Sequence, residues 1–150
     1  MSLRMIQFLA VVSTALALIP AGAHLFELPN KIDLPREPYL TVQGVYAGWA
    51  WFGVVDFAAL ILNAVMAVKL RRQPLAFSFA LAAALCFVLF FVIFFIWTFP
   101  ANQATANWTT VPDNWNELRR QWEYSHAVNA LVMLAALCSV TLSVLATHKD

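Results

Sequence analysis

Residues 114–150 read NWNELRRQWEYSHAVNALVMLAALCSVTLSVLATHKD. The first part holds Arg119, Arg120, Glu117, Glu123, Trp115, Trp122 and His126; from Ala127 to Thr147 the chain is almost pure hydrocarbon. A helix needs about 20 apolar residues to cross the roughly 30 Å of bilayer hydrocarbon. One helix that spans lipid and projects about three turns beyond it accounts for both halves, with Asp113 or Asn114 as its N-cap.

The rest of the chain fits that reading. Hydrophobic residues make up 62% and charged residues 11%, where a soluble domain carries about 25% charged. Four apolar segments, about Met5–Ala23, Val45–Val68, Leu75–Phe99 and Ser125–Thr147, are each long enough to span. Continuous runs of this length satisfy their backbone in lipid only as helices. The expectation is an all-α, four-helix transmembrane bundle in one domain, residues 1–150, with helices at about 5–23, 45–68, 75–99 and 113–147. The start of the chain, Arg4 followed by an apolar run and Ala21-Gly22-Ala23, imitates a secretory signal. It is read as a retained first helix, bent or ended near Pro20.

Positive charge sets the expected orientation. Lys69, Arg71 and Arg72 crowd the short link between spans two and three, with Arg4 and Lys149 on the same side. Both termini are therefore expected in the cytoplasm. The two longer connections, His24–Gly44 and Pro100–Tyr124, face the extracytoplasmic side of a bacterial inner (plasma) membrane. A net charge of +1 without a clustered basic face argues against nucleic acid as a partner. Membrane lipid and a hydrophobic small molecule are the expected partners, and a homo-oligomer is left open. Cys86 and Cys138 lie in apolar runs without CxxC spacing, which argues against disulfide exchange. Gly-rich nucleotide loops and a serine-nucleophile motif are missing too.

Helix rise of about 1.5 Å per residue compares depths. Arg4 to His24 and His148 back to His126 are both roughly 30 Å, so His24 and His126 should sit at one level near the outer edge. Asp56 should lie about 10 Å beneath them. A carboxyl group at that depth must be neutral or paired, and marks a candidate site. Arg119, Glu123, His126 and Asn129 step by three or four, so they share one helix face. All six tryptophans fall in the outer half, which suggests an aromatic-lined pocket including Trp51, Trp108 and Trp122, although a structural cap would crowd them equally. Glu123-x-x-His126 has the spacing that carboxylate-bridged metal bundles use. With His24 and Asp56 it would make a mononuclear iron or copper site. Haem between His24 and His126, or no cofactor at all, are the other readings.

Three stretches carry a family resemblance. PAGAHLFELPNKI closes helix one, TFPANQATANWT follows helix three, and NWNELRRQWEYSHAVNA leads helix four. They resemble the anthrone oxygenase-like family of small four-helix membrane proteins, much of it described only as a domain of unknown function. The similarity covers nearly the whole chain. Its most specific parts are Pro100–Asn102 and the Leu-Arg-x-x-Trp-x-x-x-His run from Leu118 to His126. Family members often carry an arginine where this chain has Asn129. The resemblance implies Asn102, Arg119, Trp122 and His126 as site residues.

The resulting expectation is a membrane oxidoreductase or oxygenase acting on a hydrophobic aromatic, anthrone- or quinol-like, substrate. His126 would be the general base, Glu123 would orient its ring, and Arg119 would stabilise an enolate. Trp51, Asn102, Trp108, Trp122 and Asn129 would bind the substrate. The alternative is a non-catalytic bundle that holds lipid, quinone, haem or a partner protein.

Overall fold

The computed structural model describes residues 1–147; His148 and Lys149, used above to set depth and orientation, lie outside the described residues. The described chain is all-helical and without strands, with α1 Leu3–Lys31, α2 Arg36–Gln43, α3 Phe52–Leu70, α4 Pro74–Ile93, α5 Phe99–Ala104 and α6 Trp115–Leu145. Four helical stretches, 3–31, 49–70, 74–104 and 115–145, are long and apolar enough to cross a membrane. The protein is a four-helix membrane bundle.

The spanning helices pack in a ring: α1 lies against α3 and α6, and α4 against α3 and α6. Alanines let them approach. Ala10, Ala17 and Ala21 of α1, Ala59 and Ala67 of α3, Ala76, Ala80 and Ala83 of α4, and Ala130 and Ala136 of α6 are buried in two core clusters. Lipid tails are as apolar as leucine, so membrane helices gain from close van der Waals packing of small residues and from a few polar bonds across the interface. Two such bonds lie within the span cores. Asn63 Nδ2 donates to Thr14 Oγ1 at 3.0 Å, and Ser143 Oγ donates to the Ala76 carbonyl at 2.6 Å.

Two features correct the sequence reading. Helix α1 does not end near Pro20; it runs through Pro20 and Pro29 to Lys31. Each proline removes one backbone donor, a cost usually enough to break a helix, yet the apolar run on both sides of Pro20 keeps its backbone satisfied only while helical. The first long connection therefore begins at Ile32 and contains α2. The third span continues past Phe99 as well. Pro100 has no N–H for the Ile96 carbonyl, and the chain widens there into a π-helical turn, Phe94–Thr98, in which the Phe99 N–H reaches the Phe94 carbonyl. Side chains of α6 pin this turn: Gln121 Nε2 donates to the Trp97 carbonyl at 2.8 Å, and the Thr98 and Ser125 hydroxyls lie 2.8 Å apart. Helix α6 begins at Trp115 with Asn114 in the capping position, but the Asn114 side chain makes no capping bond.

Candidate functional site

The polar chemistry collects at the end of the bundle that carries the two long connections. On α1, His24, Glu27 and Lys31 step by three and four and so share a face. On α6, Arg119, Trp122, Glu123, His126 and Asn129 do the same. Where the faces meet, the His24 and His126 rings lie 4.2 Å apart, centroid to centroid. Trp122 sets its edge against both, at 4.9 Å from His24 and 4.3 Å from His126. Tyr46 and Trp49 cover His24 from the first connection, at 4.5 and 5.8 Å. His24 is buried and its Nδ1 has no hydrogen-bond partner; His126 keeps a half-buried edge.

One turn further out lies a buried ion pair. Lys31 Nζ is 3.0 Å from Glu123 Oε1, with the lysine side chain 3% and the glutamate side chain 0% exposed. The same ammonium donates to the Tyr46 hydroxyl at 2.6 Å and lies 3.7 Å from Glu27. It also sits over the rings of Tyr46 and Trp122, at 4.3 and 5.1 Å. Tyr39 donates to Glu123 Oε1 at 3.0 Å, Gln43 Nε2 donates to the Tyr39 hydroxyl, and Tyr46 donates to Glu27. Burial pushes the Tyr39 hydroxyl far above the ordinary tyrosine range, and the Glu123 carboxylate pushes it further. Burial, then the hydrogen bond to Glu27, does the same for Tyr46. Both phenols are held as neutral donors. Desolvating two charges is costly, and a buried pair needs further hydrogen bonds to offset it; the tyrosines supply some of them, while Glu123 Oε2 stays without a partner.

The second connection closes the site from the other side. Ala106, Asn107 and Trp108 all have positive φ, 47, 56 and 64°, a left-handed run that disfavours bulky side chains. Thr105 Oγ1 holds it, accepting from the Trp108 N–H at 3.1 Å while donating to the Ala101 carbonyl at 2.8 Å. The result turns the Trp108 ring inward, against Tyr39 at 5.2 Å and Trp122 at 5.9 Å. Asn102 Oδ1 accepts from Trp122 Nε1 at 2.7 Å, which fixes the indole that edges both imidazoles.

The structure brings together His24, His126, Trp122, Asn102, Trp108 and Glu123, but several expected roles change. Glu123 makes no hydrogen bond to His126; its partners are Lys31 and Tyr39. Arg119 is not free to meet a substrate oxyanion. Its Nη1 donates to the Leu34 carbonyl and its Nη2 to Asn116 Oδ1, both at 2.6 Å, while its guanidinium lies over Tyr39 and Trp115. Trp51 is 79% exposed and lines no pocket with the other tryptophans. Asn129 is buried, donating weakly to the Phe90 carbonyl at 3.4 Å with Oδ1 unpartnered. Asp56 is on the inward face of α3, one turn from Ala59, and forms no hydrogen bond with Asn63, whose donor serves Thr14 and the Ala59 carbonyl.

The proposed metal set does not assemble: among the described residues no three His, Cys, Asp or Glu side chains are placed to hold one ion. Haem fits no better, since two imidazoles in ring contact leave no space for a porphyrin between them.

The sequence reading puts Lys31, Tyr39 and Gln43 in a loop and Tyr46 in a second span from Val45, and so misses all four; the chain is instead helical to Lys31 and passes through 3₁₀ turns before α3 begins at Phe52. The signal was present: extending α1 by two turns aligns His24, Glu27 and Lys31 on one face. No family model, no curated protein and no solved structure matches the chain.

Proposed function

We propose that this protein is a membrane-embedded oxidoreductase that oxidises a flat, hydrophobic, phenol-like molecule at the connection-bearing end of the bundle. Lys69, Arg71 and Arg72 at the opposite end support an extracytoplasmic site under the positive-inside rule. The reading is carried by one observation: two imidazoles from the first and last spans meet inside an aromatic box, one buried and one half-buried.

His126, the less buried of the two, takes a proton from the acidic ring methylene of an anthrone-like substrate. His24 packs behind it and Trp122 fixes its orientation. The enolate carries an electron-rich carbon that combines with dioxygen, giving a hydroperoxide once protonated. Loss of water from that hydroperoxide leaves a carbonyl, so one substrate and one O₂ give one quinone and one H₂O. No step depends on a metal, in line with the scattered donor set, and the resemblance to anthrone oxygenase-like proteins supports the substrate class.

The test is oxygen consumption by the detergent-purified protein with an anthrone. His126→Ala should lower the rate by about 10²–10⁴-fold, the usual weight of a general base. Unchanged turnover overturns the assignment.

A second reading, a binding bundle without chemistry, is favoured by where the open space lies. One groove of about 270 Å³ runs between Phe26, Glu27, Asn30, Lys31, Leu34 and Val42. Another of about 350 Å³ lies on the outer face of α6 at Leu137, Cys138, Thr141 and Leu142. Neither is lined by His24 or His126. Under that reading the protein binds the anthrone, wild type and His126→Ala alike, and consumes no oxygen.

A further inference from the structure

Between α2 and α3 the chain passes through two short 3₁₀ turns, Gly44–Tyr46 and Trp49–Trp51. Its backbone hydrogen bonds are local: Ala47 to Gly44 at 3.3 Å and Trp51 to Gly48 at 3.2 Å, with none reaching α1 or α6. Every residue from Gly44 to Trp51 is exposed except Tyr46 and Trp49. Those two turn inward, and their rings are the ones that cover His24 from this connection. Trp49 is held by ring contacts alone, to His24, Tyr46 and Phe52. Tyr46 makes the only side-chain hydrogen bonds from this segment to α1, to Glu27 and Lys31.

The two ends differ in kind. Before the segment, Tyr39 and Gln43 are buried and tied to Glu123. Within it, Gly48 has φ +85°, a conformation that glycine adopts freely and L side chains rarely. Neither Gly44 nor Gly48 has a heavy atom within 4 Å of where a Cβ would stand. A short, solvent-facing segment with a fixed anchor, a glycine pivot and one polar attachment has the low local stability from which moving elements are drawn.

We infer that Gly44–Trp51 is a flap over His24, latched by the Tyr46 hydroxyl to Glu27 and Lys31, whose opening admits molecules to that imidazole. What the flap admits rests on the proposed function; that it opens does not. Closed, it holds the Tyr46 and Trp49 rings against His24. Released, it exposes His24 Nδ1, which has no partner in the closed form. The latch is the control point because Tyr46 carries the segment's side-chain hydrogen bonds to α1, while Tyr39 and Gln43 keep their own bonds to Glu123 and to each other when the Tyr46 hydroxyl is removed.

The experiment is modification of His24 by diethyl pyrocarbonate on the full chain in detergent, read residue by residue by mass spectrometry against the SDS-unfolded protein. In the wild type His24 should react far more slowly than in the unfolded reference. Tyr46→Phe keeps the ring and removes the latch, and should speed His24 by about tenfold or more, the factor for losing even one of its two hydrogen bonds to charged partners. Trp49→Ala leaves the latch and thins the cover, and should speed it severalfold, with helicity by circular dichroism unchanged in both. Wild-type rates in both variants overturn the inference. A rise with Trp49→Ala and none with Tyr46→Phe overturns it too, because the latch then holds nothing closed. The proposed function fails separately: if His126→Ala retains full turnover while Tyr46→Phe exposes His24, the flap stands and the catalytic reading falls.

Discussion

The two ends of the bundle solve the same packing problem with opposite chemistry. Towards the Arg71 end, Ala10, Ala67, Ala76, Ala80 and Ala83 bring the backbones together, and Ile6, Met66, Leu70 and Val140 fill what remains. Polar groups there are few and mostly bond to backbone carbonyls, as Ser13 does to Leu9 and Ser143 to Ala76. At the other end the core is Tyr39, Trp108 and Trp122, threaded by Lys31, Glu123, Arg119 and two imidazoles. Stability explains the first end fully. It does not explain the second, because a buried ion pair is often no better than well-packed hydrocarbon. Charges, phenols and imidazoles where alanine and leucine would pack are what the proposed function accounts for.

The sharpest way to break this contrast is Lys31→Met. It leaves Glu123 buried without its cation, and loss of one partner of a buried pair costs about 3–5 kcal/mol. The SDS-unfolding midpoint of the detergent-purified protein should fall steeply. Lys31→Met combined with Glu123→Leu should recover most of the loss. If the single variant is as stable as wild type, the connection-bearing end is not organised around this pair.

Ala80→Leu probes the other end. Ala80 is wholly buried in the α4 seam, and overpacking costs about 1–3 kcal/mol through helix separation alone. Stability should drop while His24 protection stays as in wild type, since the two ends share no polar contact. A loss of His24 protection would couple ends that the contacts keep separate.

The smallest effect is in pH. The Tyr39 and Tyr46 hydroxyls are raised above their unfolded value of about 10. The folded protein therefore holds those protons more tightly than the unfolded chain does. That contribution is complete below about pH 10 and is lost as pH rises beyond it. The unfolding midpoint should decline above about pH 10, and Tyr39→Phe with Tyr46→Phe should flatten the decline. An unchanged alkaline slope would mean the phenols are not held by Glu123 and Glu27.

Much of this was legible in the sequence. Span number followed from apolar run length. The matched depth of His24 and His126 followed from helix rise, and the inward stripe from Glu123 to Asn129 followed from spacing. What escaped was partnership. Glu123 and Arg119 are i,i+4 neighbours and look like a pair, but each turns to a different element, Lys31 and the Leu34 carbonyl, which one helix cannot reveal. Lys31 itself was hidden because Pro20 and Pro29 suggested a loop where the helix runs on. Trp51 illustrates the reverse: aromatic residues crowded in sequence were read as one pocket, while the 3₁₀ turn points Trp51 outward and Trp49 inward.

The direct test places thiols where the imidazoles stand. His24→Cys with His126→Cys, in a Cys86→Ala, Cys138→Ala background, should give a fluorescent intramolecular dibromobimane adduct in native membranes, and each single cysteine should give none. Two reactive thiols that never share one bimane would mean that α1 and α6 do not bring these positions together. The site built on them would then be lost.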